Sequence, residues 1–392
     1  MSYFKNGKRG DITISLSWIF MIVIGTFFLY SAYSIIGTYQ ENEETKFYIE
    51  VKNLLSNILT NAAQTIGYEE NYIQPINDFF KDSKVEIICN DGLSILSINE
   101  RMDDSVDFLK NIPTFMTSIN EGDVSFTYLA VENFRAPFKV TNMMALVSKK
   151  NLIVFDKDSE ITTILREKFA KSAYRDSLSF SETPFGSISS TTYNKLVKDY
   201  NYNTIMFVSD SEENLGAGFN LDDIVGIDSY YLKVSGKDDD FKFGKLTYLD
   251  KLGGNFEYNY VDFRNDVFDS KPINLITMGI FSRPETFECG QKLLIDNTLN
   301  VLNFYINKTA NLMKLSESTQ VCSSDYFLVS GDGSVDGTFQ TIKYENLMKE
   351  LVDFKNEIET HRFNNPEDIF DSITEIHRLS QILSDSGCEL IY

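Results

Sequence analysis

Residues 332–337 (DGSVDG) come nearest to a metal-binding pattern in this sequence. Asp332, Ser334 and Asp336 alternate along the run, and this spacing of oxygen ligands before a glycine matches the first half of a calcium-binding loop. The twelfth position of such a loop carries a bidentate Glu, whereas Lys343 stands there in this chain. The run therefore indicates a weak calcium candidate, with a Gly/Asp hairpin turn as the alternative, and no other cofactor is expected.

Catalytic signatures are scarce in the sequence. The chain has two histidines, His361 and His377, and it contains no G-x-S-x-G, H-E-x-x-H or P-loop pattern. Asn307 begins an Asn-Lys-Thr run, an N-glycosylation acceptor that would have to face solvent on a helix. Lys and Arg total 36 against 57 Asp and Glu, and the formal charge of −21 is unsuited to binding nucleic acid. We therefore expect neither an enzyme nor a nucleic-acid-binding protein.

One segment near the N-terminus has the composition of a membrane helix. Residues 12–37 contain no charged side chain, and the run is longer than the roughly 20 residues that cross a bilayer as a helix. Lys5, Lys8 and Arg9 precede the segment and acidic residues follow it, so the positive-inside rule places the N-terminus in the cytoplasm. The sequence therefore predicts a single-pass protein of the cell membrane with residues 38–392 extracellular. A buried core helix is the alternative.

The residues just before this segment carry a processing pattern. Residues 8–11 (KRGD), followed directly by the apolar run, resemble the class III signal of archaeal type IV pilins. The resemblance implies cleavage by prepilin peptidase between Gly10 and Asp11, with the apolar helix kept in the mature chain. The C-terminal tail, with its CG, VCSSDY and GCELIY runs, also resembles archaeal cell-surface proteins of uncharacterised function. An ordinary basic stop before a membrane anchor is the alternative.

The helical pattern continues beyond the apolar segment. Apolar residues at spacings of three and four run from Phe47 to Ile66, which predicts a long helix whose outer half is amphipathic. Short β-rich runs then outnumber helices, and the last hundred residues have helical periodicity. The predicted fold class is α+β, with a long N-terminal transmembrane and stalk helix, a mixed β-sheet domain and a C-terminal helical hairpin region. The predicted domains are a basic cytoplasmic leader, a transmembrane helix, an amphipathic stalk helix with linker, a mixed α/β ectodomain and a helical C-terminal region, at residues 1–10, 11–37, 38–82, 83–283 and 284–392.

Local patterns assign individual elements within residues 83–283. The run Asn90-Asp91-Gly92 between two β-rich runs predicts a hairpin, and residues 204–209 have the composition of a buried strand. The Ser- and Thr-rich residues 177–193 are typical of a surface loop, and the apolar residues 275–280 predict a strand. Helices that interrupt the strands allow a partly parallel sheet.

The four cysteines, Cys89, Cys289, Cys322 and Cys388, all follow the predicted membrane segment. An even number on the extracellular side, without C-x-x-C spacing, favours disulfides over a zinc site. A helix over residues 290–314 would span about 37 Å. The chain that follows reaches only about 27 Å by Cys322, so a Cys289–Cys322 pair is disfavoured. Since Cys388 ends a helical hairpin that begins on the Cys322 side, we predict the pairs Cys322–Cys388 and Cys89–Cys289.

These patterns favour a structural or adhesive role. We expect a pilin-like, single-pass cell-surface subunit, or an accessory of an assembly, that displays a disulfide-linked ectodomain. The expected partners are the lipid bilayer, other membrane or pilin-like helices, and prepilin peptidase if the signal is cleaved. The alternative is a membrane-anchored receptor or ectoenzyme with its site in residues 83–283.

Overall fold

The computed structural model describes most of the chain after residue 71. Before that point it describes only a few helical residues, at 30, 46, 49–50, 52–53 and 57. The chain divides into two compact units, residues 1–55 and 56–392, and every element below belongs to the second unit. The described stretches of that unit, apart from the single residue 57, are 72–75, 85–90, 93–98, 101–103, 113–116, 127–170, 178–185, 189–210, 221–236, 241–263, 274–319, 328–330, 339–341 and 344–385.

Among the described elements of this unit, strands come first, strands and helices alternate in the middle, and helices dominate the end. The described strands are β1 (Tyr72–Pro75), β2 (Val85–Asn90), β3 (Leu93–Ile98), β4 (Arg101–Asp103), β5 (Thr114–Met116), β6 (Thr127–Arg135), β7 (Lys139–Ser148), β8 (Asn151–Asp156), β9 (Ser179–Thr183), β10 (Thr204–Ser209), β11 (Asp228–Gly236), β12 (Phe243–Asp250), β13 (Asn255–Val261), β14 (Leu328–Ser330) and β15 (Phe339–Thr341). The described helices are α1 (Glu160–Ala170), α2 (Ser190–Tyr200), α3 (Asn274–Ile280), α4 (Pro284–Thr319), α5 (Tyr344–His361) and α6 (Pro366–Asp385), with a 3₁₀ turn at Leu221–Asp223.

The largest sheet has six strands in the order β13-β12-β11-β10-β8-β9. Its last four strands run parallel, whereas β12 and β13 form an antiparallel hairpin beside them. Parallel neighbours need a crossover connection, and α1 and α2 supply it on the way from β8 to β9 and from β9 to β10. Every residue of β8 and β10 is buried, as continuous apolar runs such as TIMFVS require in a sheet that is covered on both faces.

Three smaller sheets and the helices complete the unit. A four-stranded sheet has the order β1-β6-β7-β5, a three-stranded sheet the order β2-β3-β4, and β14 pairs with β15. One apolar core joins the sheets to the C-terminal helices, since Phe115 of β5, Leu246 of β12, Leu302 of α4, Phe354 of α5 and Ile376 of α6 belong to the same buried cluster. The helical hairpin of α5 and α6 lies at the residues at which the sequence predicted it.

A disulfide connects two distant parts of the chain. Cys89 of β2 is bonded to Cys289 of α4, with a Cα–Cα distance of 5.7 Å and a sequence separation of 200 residues. Cys289 is almost completely buried. This is one of the two pairs expected from the sequence; Cys322 and Cys388, the other pair, lie outside the described residues.

Three local expectations differ from the structure. Residues 275–280 form part of α3 rather than a strand. An apolar run that is buried on every side has no periodicity to separate the two, and here the Asp262 carboxylate accepts the Leu275 N–H and so starts a helix. The expected surface loop at 177–193 contains β9, a half-buried edge strand, and the expected linker contains β1.

The predicted N-terminal transmembrane and stalk helix is wrong for the part of the chain that the structure describes. No helix there combines the length and the apolar character that a bilayer crossing requires. The longest, α4, carries charged residues such as Lys292, Asp296 and Lys308 at short intervals. The fold class is corrected to mixed α and β structure with several sheets, and the predicted cell-membrane location with residues 38–392 extracellular is withdrawn with the helix. Residues 11–37 themselves lie outside the described residues apart from Tyr30.

Candidate functional site

The carboxyl end of the six-stranded sheet is the first place to seek a site. From β8, the fifth of the six strands, the chain goes outward to the edge strand β9 and then returns to β10 on the other side of β8. In open α/β sheets such a change of direction leaves a crevice at the carboxyl ends of the strands, where ligands bind. Asp156 ends β8, Ser209 ends β10 and Asp210 follows it. We call Asp156, Ser159, Ser209 and Asp210 the carboxyl edge.

Hydrogen bonds inside the protein occupy the carboxylates of this edge. Asp156 is buried, and its Oδ2 accepts the Ser209 hydroxyl at 3.0 Å while its Oδ1 accepts the Phe185 N–H at 3.2 Å. Asp210 accepts the Ile161 N–H at 3.0 Å and donates its own N–H to the Ser159 hydroxyl at 3.2 Å. These contacts hold the start of α1 and residue 185 against β8 and β10.

Chemistry at the carboxyl edge is limited by the same contacts. Burial raises the pKa of the neighbouring Tyr231 to about 12, although a hydrogen bond to Ser209 opposes the change. The phenol is therefore neutral at physiological pH and cannot act there as a base. Among the described residues, no group of three His, Cys, Asp or Glu side chains is placed to hold a metal ion.

The amino end of the same sheet presents apolar side chains to solvent. Leu252 is 94% exposed, Val225 is 73% exposed and Tyr200 is 59% exposed. Leu252 lies in the turn between β12 and β13, Val225 lies just before β11, and Tyr200 lies just before β10. Since β12, β11 and β10 are neighbours about 4.8 Å apart, the three side chains follow one another along one end of the sheet. We call Tyr200, Tyr202, Val225, Lys251 and Leu252 the amino edge.

Each loop of the amino edge is bonded to its neighbour. The Asn194 side chain donates to the Asp223 carbonyl at 2.7 Å and accepts the Val225 N–H at 2.9 Å, which fixes the Val225 loop on α2. The Lys251 ammonium donates to the carbonyls of Ile224 and Ile227, which joins this loop to the β12–β13 turn. Burial lowers the pKa of Lys251 from its ordinary value, while Asp228 and Asp222 oppose that change.

The turn that carries Leu252 is itself well defined. The Asp250 carboxylate accepts the N–H groups of Leu252 at 2.9 Å and Gly254 at 2.6 Å. Gly253 has a φ of 77°, a left-handed conformation that a residue with a Cβ adopts only at a cost. At the other end of the row, the rings of Tyr200 and Tyr202 stack with centroids 5.9 Å apart, and Lys150 donates to the Tyr200 carbonyl at 3.3 Å. Leu252 and Val225 are therefore exposed on ordered loops.

Charges nearly balance at the amino edge, although the whole chain carries −21. The strand order brings to this end Lys149, Lys150, Lys198, Lys251 and Arg283 together with Asp199, Asp222, Asp223, Asp228, Asp250 and Glu285. Arg283 pairs with Asp228 at 3.0 Å. Like-charge repulsion between two copies of this chain is consequently weak at this edge.

A small cavity lies beside the disulfide. It has a volume of about 190 Å³, and its lining includes Glu86, Cys89, Met116, Arg283 and Thr286. Ligand pockets usually measure about 300–1,000 Å³, so this cavity has room only for a few atoms.

Most of the site residues expected from the sequence lie outside the described residues. These are the processing residues Gly10 and Asp11, the calcium candidates Asp332, Ser334 and Asp336, and the cysteines Cys322 and Cys388. The strands that flank residues 331–338 pair antiparallel, Leu328 with Thr341. Asn307 is exposed on α4, but Thr309 of the same run is buried and donates its hydroxyl to the Tyr305 carbonyl at 2.8 Å.

The amino edge was not predicted from the sequence. The signal was present, because an apolar Leu252 between Lys251 and Gly253 is out of place in a turn that has no core to cover. No protein-family model matches the chain, and no curated protein matches it at a significant level.

Proposed function

We propose that this protein is a non-catalytic structural subunit whose copies associate through the amino edge. The observation that carries the proposal is the exposure of Leu252 and Val225, 94% and 73%, on loops that are bonded to one another. Apolar side chains that are exposed singly are ordinary on protein surfaces, whereas a row of them on ordered loops is typical of an interaction site.

The loops of the amino edge are already fixed in place before binding, and this favours association. Binding normally costs the conformational freedom of the side chains and loops that it fixes. Asn194 and Lys251 already hold the Val225 loop, and Asp250 already holds the Leu252 turn. Burial of a Leu or Val side chain contributes roughly 1.5–3 kcal/mol, and little of this would be lost to ordering the edge.

The charge distribution favours a second copy as the partner. A chain of charge −21 repels its own copies over most of its surface. At the amino edge lysines such as Lys150 and Lys251 lie among aspartates, so that two copies can pair opposite charges there. Cleavage between Gly10 and Asp11 stays a prediction and does not support this proposal, because both residues lie outside the described part of the chain.

Sedimentation equilibrium of the full chain tests the proposal. Wild-type protein is expected to show concentration-dependent association that Leu252→Asp weakens at least tenfold, because a carboxylate would be buried at the contact. Leu315→Asp is the matched control, since Leu315 is 55% exposed on α4, away from the amino edge. A wild-type protein that stays monomeric at all concentrations, or equal weakening by both substitutions, would refute the proposal.

Ligand binding at the carboxyl edge is the second candidate. The change of chain direction between β8 and β10 favours it, because that topology places a crevice beside Asp156 and Asp210. The side chains of this edge, however, already bond to the protein's own backbone.

Adhesion of the amino edge to a different macromolecule is a separate outcome. In the sedimentation experiment it would appear as a wild-type chain that does not self-associate.

A further inference from the structure

A cluster of ionisable side chains that belong to neither edge lies buried between the two larger sheets. It consists of Glu132 of β6, Lys168 of α1 and Asp262, the residue after β13, with Asn274 of α3. Glu132, Lys168 and Asp262 are each no more than 5% exposed. We propose that this buried cluster is a pH-sensitive latch, which holds the four-stranded sheet to the six-stranded sheet most firmly when Asp262 is protonated.

The contacts of the cluster connect four elements. The Lys168 ammonium lies 2.8 Å from Glu132 Oε1 and donates to Asn274 Oδ1 at 2.8 Å. The Asn274 amide donates in turn to the Asn133 carbonyl at 2.8 Å. The Asp262 carboxyl accepts the Leu275 N–H with both oxygens, at 3.1 and 2.9 Å. β6, α1, the end of β13 and the start of α3 are therefore held at one point.

The charges of the cluster do not cancel when both acids are ionised. Glu132 and Asp262 are two carboxylates, and the Lys168 ammonium pairs with Glu132. Burial raises the pKa of Asp262 to about 7, while the N–H groups of Leu275 and Ile276 and the charge of Lys168 oppose the change. The negative charge of Glu132 acts in the same direction as burial. A proton on Asp262 leaves Lys168 and Glu132 as the ionised pair of the cluster, and its loss adds a second buried carboxylate to that pair.

Within the described stretches 241–263, 274–319 and 344–385, few other charged groups face Asp262. The segment before β12 contributes Lys242, whose carbonyl accepts the Asp262 N–H at 2.7 Å. α6 contributes His377, whose ring lies 5.6 Å from that of the adjacent Phe263. α3 carries no ionisable side chain. His377 is the other group here whose ordinary titration range is near neutrality, so the experiment must separate the two.

The sign of the effect follows from linkage. A carboxyl whose pKa is higher in the folded than in the unfolded chain binds an extra proton on folding between the two values. Its stabilising contribution is complete below the ordinary pKa of an aspartate and is lost as the pH rises to about 7. In that interval the unfolding equilibrium constant attributable to this group rises by up to about tenfold per pH unit.

Denaturant unfolding of the full chain between pH 5 and 8, at constant ionic strength, tests the latch. For wild type the unfolding constant is expected to rise over this range, relative to Asp262→Asn, by one to two orders of magnitude. Asp371→Asn, on the exposed surface of α6, is the matched control for loss of one carboxylate, and His377→Gln removes the other candidate group. Both controls are expected to keep the wild-type pH dependence.

Infrared difference spectroscopy of wild type gives a readout that does not depend on how well the variants fold. A band of a protonated carboxylic acid is expected at pH 6.5, where carboxyl groups of ordinary pKa are ionised, and not at pH 8.5. Loss of the pH dependence in His377→Gln but not in Asp262→Asn would overturn the proposal, and so would the absence of that band at pH 6.5. The latch does not rest on the proposed association, since a monomer that kept this pH dependence would refute only the latter.

Discussion

The two ends of the six-stranded sheet use their side chains in different ways. At the carboxyl edge Asp156 accepts the Phe185 N–H, Asp210 accepts the N–H of Ile161 in α1, and the Ser209 hydroxyl donates to Asp156. At the amino edge the side chains of Lys251 and Asp250 bond to backbone groups of the edge's own loops, while Leu252 and Val225 face water. Topology alone would place a site at the carboxyl edge. The contacts show instead that its carboxylates organise the fold, and that the amino edge has side chains available for a partner.

Removal of the disulfide is expected to lower the free energy of unfolding more than any other change proposed here. It should not alter the difference between the two edges. The Cys89→Ala, Cys289→Ala double variant opens a 200-residue loop, and its free energy of unfolding should fall by about 2–5 kcal/mol. Denaturant titration measures the loss. Self-association of the folded fraction should be unchanged, since both edges belong to elements other than β2 and α4. A loss below about 1 kcal/mol would mean that the bond constrains little.

Asp156→Ala should affect folding without affecting association. The substitution leaves the Ser209 hydroxyl and the Phe185 N–H without their acceptor in a buried place, so the free energy of unfolding should fall by about 3 kcal/mol. Asp158→Ala, at the exposed neighbouring position, is the control and should cost less than about 0.5 kcal/mol. If Asp156→Ala left stability unchanged but abolished binding of a small molecule, the carboxyl edge would be the site.

Asn194→Ala should moderately lower both the free energy of unfolding and the affinity of self-association. It removes the two hydrogen bonds that fix the Val225 loop, at a cost of about 1–2 kcal/mol in unfolding free energy. Association should weaken several-fold because the loop must then be ordered on binding. The control is Asn311→Ala at an exposed position of α4. Association equal to that of wild type would show that loop order contributes nothing to binding.

The sequence predicted elements whose patterns are local. The hairpin at residues 85–98 was predicted from its turn residues, and the strand at residues 204–209 from a composition rich in β-branched and aromatic residues. Both elements are present in the structure. α3 was mistaken for a strand because its seven residues are too few and too uniformly apolar to show a period. β9 was mistaken for a loop because SFSET is a polar edge strand that pairs only in tertiary context.

Neither the edges nor the buried cluster could be predicted in the same way. The cluster joins residues as far apart as Glu132 and Asn274, and nothing local to either residue indicates the other. The amino edge depends on strand order, which places Val225 beside a turn that lies 27 residues later in the chain. The Cys89–Cys289 pair could be predicted from the sequence because helix length and chain reach limit the pairings that four cysteines can make.

Hydrogen exchange of the full chain at low and high protein concentration tests the central claim most directly. If copies associate through the amino edge, backbone amides in residues 223–227 and 251–254 should become protected as the concentration rises. Amides around Phe185 and Asp210 at the carboxyl edge should exchange at the same rate in both samples. Concentration-dependent protection at the carboxyl edge, or none at the amino edge while the protein associates, would contradict the account.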